Sequence, residues 1–210
     1  MEILKNFAVF EGIDGSGTTT QLSILDTFFQ QNQPSLPPFY KTFEPTNGSI
    51  GKLIRSGLRK EITISAVSMA MLFAADRNEH IYGIEGIAER CKRGELVVSD
   101  RYMLSSLVYQ GITCGDELPS RLNRDFPQPE LLIFLDIDPE NALKRIAGRE
   151  QKEIYDMLDF QIQVRQRYLS LLPILSANGV RVVVLDASPS EEEIAREVWK
   201  NIEKMPIFKV

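Results

Sequence analysis

The stretch NFAVFEGIDGSGTTTQLSILDTFFQ, residues 6–30, predicts a strand, a glycine-rich loop and a helix in succession. The apolar run over residues 6–12 ends at a glycine, which is typical of a buried strand. Residues 18–30 repeat apolar side chains such as Leu22 and Phe29 at helical spacing. The loop between the two elements would expose backbone N–H groups beside a helix N-terminus, an arrangement that binds phosphate.

The loop departs from the usual phosphate-binding pattern at one position. The pattern G-x-x-x-x-G-K-[ST] is matched by Gly12, Gly17 and Thr19, but Thr18 occupies the position of the lysine. Backbone N–H groups bind phosphate without a lysine, and the Thr19 hydroxyl occupies the position that binds Mg²⁺. The stretch therefore indicates a phosphate site from which the most specific cation is missing.

Two alternatives remain open for this loop when it is considered alone. It could be a structural turn without a ligand. It could also bind a dinucleotide, because residues 15–20, GSGTTT, partly match the pattern G-x-G-x-x-G, and Glu44 could bind a ribose. Thr20 replaces the third glycine of that pattern and Gly12 has no role in it, so the phosphate loop accounts for more residues.

Four further apolar runs alternate with helical patterns. Near-continuous apolar strands separated by helices indicate a parallel sheet with helices on both faces, and ligands then bind beyond the carboxyl ends of the strands. We predict one domain over residues 1–210 with five strands. The predicted strands are 6–12, 39–45, 95–100, 131–137 and 180–187; the predicted helices are 18–30, 49–60, one or two within 63–93, 140–148, 155–175 and 190–204, the last with Ser190 as N-cap.

Composition limits the class of partner. The chain has 210 residues, of which 43% are hydrophobic and 25% charged, as in globular domains. The net charge of −5 argues against a general nucleic-acid or membrane-surface binder, so neither partner is expected. Cys91 and Cys114 match no metal motif and are expected to be reduced thiols in a cytoplasmic protein. The one histidine, His80, is expected at the surface.

The motif SDRY, residues 99–102, ends the third predicted strand with a charged pair. Packing explains Asp100 and Arg101 poorly at such a position. Asp100 could hold Mg²⁺ or its water, or orient the acceptor phosphate, and Arg101 could clamp phosphate oxygens. A structural ion pair is the alternative.

The motif LFAADR, residues 72–77, places Phe73 and Arg77 four residues apart on one helical face. An aromatic plane beside a forked donor suits a nucleobase, which would stack on one and accept hydrogen bonds from the other. The alternative is a core phenylalanine beside a surface arginine.

A charged segment follows the fourth predicted strand. It carries Arg145, Arg149 and Lys152, and it is predicted to form a short lid over about residues 145–156. The cations of such a lid could close over transferring phosphates. A solvated basic helix end is the alternative.

Taken together, these motifs resemble those of the thymidylate kinase family over nearly the whole chain. The resemblance rests on FEGIDGSG, FEP, LFAADR, SDRY, SSLVYQG, PELLIFLDI and VRQRYLSL, in the family's order and spacing. It implies the three-layer fold of P-loop nucleoside-monophosphate kinases, with a short lid. It also implies phosphorylation of dTMP to dTDP with ATP and Mg²⁺, in dTTP synthesis, usually by a homodimer. The apolar run ISAVSMAMLFAAD, residues 64–76, would supply the dimer surface.

The resemblance also implies roles for individual residues. Asp14 resembles the carboxylate that binds the sugar hydroxyl of dTMP, Phe73 the ring that stacks on thymine, and Arg77 the donor to the base. Arg101 resembles the clamp on the acceptor phosphate, and Asp100 its acidic neighbour near Mg²⁺. The catalytic set is thus expected to be Asp14, Asp100, Arg101, Arg149 and Lys152.

The binding residues implied by the resemblance extend this set. Ser106 and Gln110 resemble polar contacts to the base edge, and Tyr109 lies where the family checks the 2′ side of the sugar. Thr19 and Asp100 are expected to hold the metal. The expected ATP-binding residues are Gly12, Ile13, Asp14, Gly15, Ser16, Gly17, Thr18, Thr19, Thr20 and Arg145; the expected substrate-binding residues are Asp14, Phe43, Phe73, Arg77, Arg101, Ser106, Tyr109 and Gln110.

Two departures from the family remove positive charge. Thr18 replaces the lysine, and Phe43 stands where many bacterial members have the arginine of REP. A unit charge ~4 Å from a phosphate contributes ~4 kcal/mol at an effective dielectric of ~20. Lid cations, with Arg149 first, could replace it, so an active kinase is expected. An impaired nucleotide-binding homologue and a kinase for another deoxynucleoside monophosphate remain the alternatives.

Overall fold

The computed structural model describes residues 2–147, 155 and 157–209. Its strands are β1 (Ile3–Gly12), β2 (Phe39–Phe43), β3 (Leu96–Asp100), β4 (Gln128–Asp136) and β5 (Arg181–Asp186). They form one five-stranded sheet in the order β2-β3-β1-β4-β5, and every neighbouring pair is parallel. The predicted α/β class and the predicted parallel sheet are confirmed.

Helices cover both faces of this sheet, which makes the three predicted layers. α1 and α9 pack on each other and contact β1 and β5 respectively. On the other face, α4 packs on Phe7 and Val9, and Tyr168 of α8 bonds Glu11, whose side chain alternates to that same face. The helices are α1 (Thr18–Gln31), α2 (Ser49–Leu58), α3 (Ala66–Tyr82), α4 (Ile87–Lys92), α5 (Met103–Cys114), α6 (Glu117–Asn123), α7 (Pro139–Ile146), α8 (Leu158–Ala177) and α9 (Glu191–Ile202).

Side-chain alternation along β1 divides the core between the two faces. Phe7 and Val9, both fully buried, pack in a cluster with Ile81 and Ile87. Ala8 and Phe10 point to the other face and join the larger cluster. Because both faces of β1 are buried, the strand is apolar at every position from 7 to 10, which is why it was recognisable in the sequence.

The segment 63–93, predicted to hold one or two helices, forms two, because Gly83 ends α3 and Gly86 caps α4. Two details differ from the sequence-based expectations. Helices α5 and α6 were not predicted. Strand β4 begins at Gln128 rather than Leu131, because its first residues pair with the start of β1. Ser190 caps α9 as predicted, within a capping box to Glu193.

The strand order brings three loops to one edge of the sheet. Phe10 of β1 lies beside Asp100 of β3, and Phe43 of β2 lies on the other side of Asp100. The glycine-rich loop, the segment after Phe43 and the pair Asp100–Arg101 therefore meet at the carboxyl ends of adjacent strands. This is where an open parallel sheet binds ligands.

Candidate active site

The loop between β1 and α1 has the backbone of a phosphate cradle. Gly15 and Gly17 have φ of +86° and +96°, a region that side chains rarely adopt, and a Cβ on Gly15 would overlap the carbonyl oxygen of Ala142. The first helical bond runs from the Gln21 N–H to the Gly17 carbonyl at 2.9 Å. The N–H groups of residues 18–20 therefore precede the bonded part of the helix and can bind an anion.

A cavity of about 1030 Å³ opens on this loop. Gly12 and Ile13 are buried beneath the loop and do not line it. Arg149 and Lys152 lie outside the described residues. The other predicted site residues line the cavity: Asp14, Gly15, Ser16, Gly17, Thr18, Thr19, Thr20, Phe43, Phe73, Arg77, Asp100, Arg101, Ser106, Tyr109, Gln110 and Arg145.

Thr19 and Asp100 form the part of the site that suits a divalent cation. The Thr19 hydroxyl donates to Asp100 Oδ2 at 2.5 Å. Asp100 Oδ1 is buried and has no hydrogen-bond partner among the described residues. Hydroxyl and carboxylate oxygens are ligands of Mg²⁺, which is usually held by one or two carboxylates together with substrate phosphates and waters. The unpartnered oxygen fits that role.

Arg101 and Asp14 join the third strand to the glycine-rich loop. Arg101 Nη2 donates to Asp14 Oδ1 at 2.6 Å. The residue has φ of +69°, a left-handed conformation that is uncommon without glycine, and its N–H donates to the Phe10 carbonyl at 2.8 Å. Burial alone would lower the pKa of Arg101, but Tyr109, Asp14 and other neighbours raise it well above its ordinary value. Arg101 is thus a fixed positive charge in the cavity.

Gln161 on α8 fixes Asp14, and sequence reasoning did not find it. Its Nε2 donates to Asp14 Oδ2 at 2.9 Å and to the Tyr155 carbonyl at 3.0 Å. Its Oε1 accepts the Asp14 N–H at 3.3 Å, and the side chain is fully buried. The Tyr109 hydroxyl also donates to Asp14 Oδ2, at 3.2 Å. Gln161 follows Asp14 by 147 residues, so no local pattern could have linked them.

Glu11 is a second site residue that the sequence did not assign. It is fully buried and accepts hydrogen bonds from the Tyr102 N–H, the Ser105 N–H and hydroxyl, and the Tyr168 hydroxyl, at 2.7–3.2 Å. Burial raises its pKa to about 7, against these hydrogen bonds and the charge of Arg101, which lower it. Arg101 Nη1 also donates to Ser105 Oγ at 3.3 Å. Because the Ser105 hydroxyl donates to Glu11, Glu11 helps to fix the position of Arg101 through Ser105.

Arg77 lies in the floor of the cavity rather than at the surface of α3. Only 1% of it is exposed, which excludes the alternative of a surface arginine. Its Nε and Nη2 donate to Glu44 Oε2 at 3.0 and 2.6 Å, and Nη2 also donates to Ser106 Oγ at 3.0 Å. Nη1 donates to Asn123 Oδ1. These partners hold the buried guanidinium of Arg77 in one orientation.

The expectation for His80 is wrong. Its side chain is only 9% exposed. Nε2 lies 2.6 Å from Thr42 Oγ1, and Nδ1 lies 3.1 Å from Glu44 Oε1. Because Arg77 and His80 are three residues apart, both reach from α3 toward the end of β2, where Glu44 binds them.

Two cations that were not predicted, Arg55 and Lys41, line the cavity together with the predicted Arg145. Arg55 donates to the carbonyls of Pro45 and Thr46, both at 2.5 Å, and Lys41 pairs with Asp26 at 2.5 Å. Arg145 donates to the Ala187 carbonyl at 2.8 Å. Neither Arg55 nor Arg145 pairs with a carboxylate among the described residues, so both keep an uncompensated charge for an anionic ligand.

Comparisons with known proteins agree with this geometry. The model of the family described as thymidylate kinase matches residues 10–198. A relative from Treponema pallidum (strain Nichols), provisionally named a thymidylate kinase, is 44% identical over 169 residues, which are 80% of this chain and 79% of the relative. Another, from Pyrobaculum aerophilum and named "Probable thymidylate kinase", is 39% identical over 204 residues, 97% of this chain and 99% of the relative.

A solved structure of thymidylate kinase from Candida albicans has a similar fold. It superposes with a TM-score of 0.74 at 26% sequence identity, covering 97% of this chain and 93% of the other. The chain therefore belongs to the thymidylate kinase family.

Proposed function

We propose that this protein transfers the γ-phosphoryl group of ATP to dTMP, producing dTDP and ADP for dTTP synthesis. The observation that supports this most is the cavity, which joins a phosphate loop to a pocket for a nucleobase. Arg101 connects the two parts, because it binds Asp14 of the loop and Ser105 of α5. The same helix carries Ser106 and Gln110, which line the cavity with Phe73.

In the proposed reaction an oxygen of the dTMP phosphate attacks the γ-phosphorus of ATP. The new bond joins that oxygen to phosphorus, and the bond between the γ-phosphorus and the oxygen that bridges it to the β-phosphate breaks, so that ADP leaves. Arg101 would neutralise the acceptor phosphate, and the N–H groups of residues 18–20 would bind the donor phosphates. Catalysis of this kind consists mainly of positioning and charge stabilisation.

Thr19 and Asp100 would hold Mg²⁺ through the Thr19 hydroxyl and the unpartnered Oδ1 of Asp100. The ion, when bound with ATP, neutralises charge on the β- and γ-phosphates. Asp100 stays in place because its other oxygen accepts the Thr19 hydroxyl.

The sugar and base of dTMP would lie between α3 and α5. Phe73 would stack on the base, and Arg77, Ser106 and Gln110 would meet its polar edge. The Tyr109 hydroxyl is bonded to Asp14 and fills the space beside it, so Tyr109 would oppose a 2′-hydroxyl while Asp14 accepts the 3′-hydroxyl.

The donor site must handle two polyanions without the loop lysine. Arg145 and Arg55 supply charge within the described residues. We propose that Arg149, with Lys152, supplies the cation that Thr18 does not, as part of a lid over about residues 145–156. A guanidinium can bridge two phosphate oxygens, which favours Arg149.

We also propose a homodimer in the cytoplasm. Val67 and Met71 lie one turn apart on α3 and are 46% and 50% exposed, and Leu53 on the adjacent α2 is 42% exposed. An apolar surface of this kind is stabilised when a second copy covers it. None of the helices in the described ranges is both long and apolar enough to cross a membrane.

The activity is tested by assaying the purified protein with ATP and Mg²⁺ against dTMP, dUMP, dCMP, dGMP and dAMP. We expect the highest kcat/KM with dTMP, and Asp100→Asn should lower kcat by about 10²-fold because it removes a metal ligand. A protein that binds ATP and dTMP without turnover would be the impaired homologue. A higher kcat/KM with another nucleotide would make it a different deoxynucleotide kinase.

The base pocket is tested by Phe73→Ala, with Phe208→Ala as the matched control. Loss of a stacked ring costs ~1–3 kcal/mol, so KM for dTMP should rise about 5- to 150-fold while KM for ATP changes little. Phe208 is also partly buried among aromatic rings but lies outside the cavity, so its removal should leave both KM values unchanged. Equal effects of Phe73→Ala on both substrates would place Phe73 in the core only.

The relocated cation is tested by Arg149→Ala and Lys152→Ala, with Lys144→Ala as the control. Lys144 is an exposed cation of α7 that does not line the cavity. Arg149→Ala should lower kcat by ~10²-fold or more with little change in KM for dTMP, because its contact is made chiefly in the transition state. Thr18→Lys should then raise kcat more in the Arg149→Ala variant than in the wild type, because the two cations would serve the same purpose. The idea is wrong if both alanine variants keep kcat within about a factor of two.

The dimer is tested by light scattering at micromolar concentration. The wild type should have the mass of two chains. Met71→Glu should have the mass of one, because it places a charge in the proposed interface. A wild-type mass of one chain would contradict the dimer.

A further inference from the structure

Four side chains form a buried polar chain behind the base pocket. Thr42 Oγ1 lies 2.6 Å from His80 Nε2, and His80 Nδ1 lies 3.1 Å from Glu44 Oε1. Glu44 Oε2 in turn accepts from Nε and Nη2 of Arg77. The side chains of Glu44 and Arg77 are 3% and 1% exposed, so water does not replace these partners. The proposed reaction assigns no role to His80 or Thr42.

The partners fix the proton on the histidine ring. An ionised carboxylate only accepts hydrogen bonds, so Nδ1 must carry the hydrogen that meets Glu44. Nε2 of a neutral ring then accepts from the Thr42 hydroxyl. Burial alone would raise the pKa of Glu44, but the charge of Arg77 and the hydrogen bond from His80 lower it below its ordinary value. Each carboxylate oxygen therefore has its own donor, Oε1 from His80 and Oε2 from Arg77.

Among the described residues, this arrangement leaves Arg77 one free donor. A guanidinium has five N–H groups. Nε uses one with Glu44, Nη2 uses two with Glu44 and Ser106, and Nη1 uses one with Asn123, so one N–H of Nη1 remains. A single donor in a fixed direction binds a keto oxygen of a pyrimidine. Cytosine carries an amino group in place of one keto oxygen of thymine, and an amino group cannot accept a hydrogen bond from this N–H.

We propose that His80 is a positioning residue for base recognition: by donating to Glu44 it fixes the carboxylate that orients Arg77 and so directs the one free N–H at the base. This inference rests on the proposed function, because it takes dTMP as the acceptor. Without the His80 donor, the buried Glu44 Oε1 has no partner among the described residues, and the carboxylate rotates toward other donors. Arg77 then loses its defined direction, although it remains in the pocket.

The inference is tested by the isosteric pair His80→Asn and His80→Leu. The Asn amide can donate to Glu44 from near the position of Nδ1, whereas Leu has the same shape and no donor. The control is Asn201→Leu, which removes a half-buried polar partner of Arg181 far from the cavity. For each protein we would measure the KM and kcat for dTMP, the KM for ATP and the calorimetric Kd for dTMP. The ratio of kcat/KM for dTMP to that for dCMP gives the selectivity for the base.

We expect His80→Leu to raise KM and Kd for dTMP about tenfold and to lower the dTMP-to-dCMP ratio about fivefold, the scale of one hydrogen bond to a charged group. The ATP KM and kcat should stay within about twofold, and His80→Asn should restore the dTMP values. Asn201→Leu should leave all of them unchanged.

The inference is overturned if His80→Leu leaves the dTMP KM and the base ratio within about twofold of the wild type, or if Asn and Leu at position 80 give the same values. Failure of the proposed function is a separate result. A wild type that binds dTMP but forms no dTDP contradicts the kinase, and the calorimetric comparison of the two variants still decides the role of His80.

Discussion

The ion pair between Arg101 and Asp14 is the contact on which the rest of the site depends. It joins the end of β3 to the loop after β1, two elements that are adjacent only because the sheet is parallel. Arg101 holds an unfavourable φ of +69°, and the structure compensates by binding its N–H to the Phe10 carbonyl and its carbonyl to the Ser99 hydroxyl. With Arg101 fixed in this way, the loop, α5 and the bonded pair of Thr19 and Asp100 are held in place relative to one another.

Charge compensation explains how the cavity can bind polyanions in a chain with a net charge of −5. Arg101 and Arg77 are paired with Asp14 and Glu44, so each guanidinium is held in one orientation. Arg55 and Arg145 donate to backbone carbonyls and keep their charge. The cavity therefore contains both fixed pairs that shape it and free cations that attract a ligand, even though Thr18 and Phe43 contribute none.

The sequence predicted those features of the fold that are determined by residues close together in the chain. Spacings of a few residues predict the strands, the helices other than α5 and α6, the loop glycines, the Ser190 cap and the shared face of Phe73 and Arg77. The partners of the site residues do not. Gln161 meets Asp14 across 147 residues, and Tyr168 meets Glu11 across 157, so only the folded chain reveals them. His80 was assigned to the surface because a lone histidine gives no signal of the carboxylate that buries it.

A crystal structure with dTMP, ADP, Mg²⁺ and aluminium fluoride is the most direct test of the proposed site. We expect thymine stacked on Phe73 with one hydrogen bond from Arg77, the dTMP phosphate on Arg101, and the metal at Thr19 and Asp100. The planar fluoride would lie between the dTMP phosphate and ADP, above the N–H groups of residues 18–20. A dTMP phosphate away from Arg101, or the adenine of ADP in the pocket of Phe73, would contradict it.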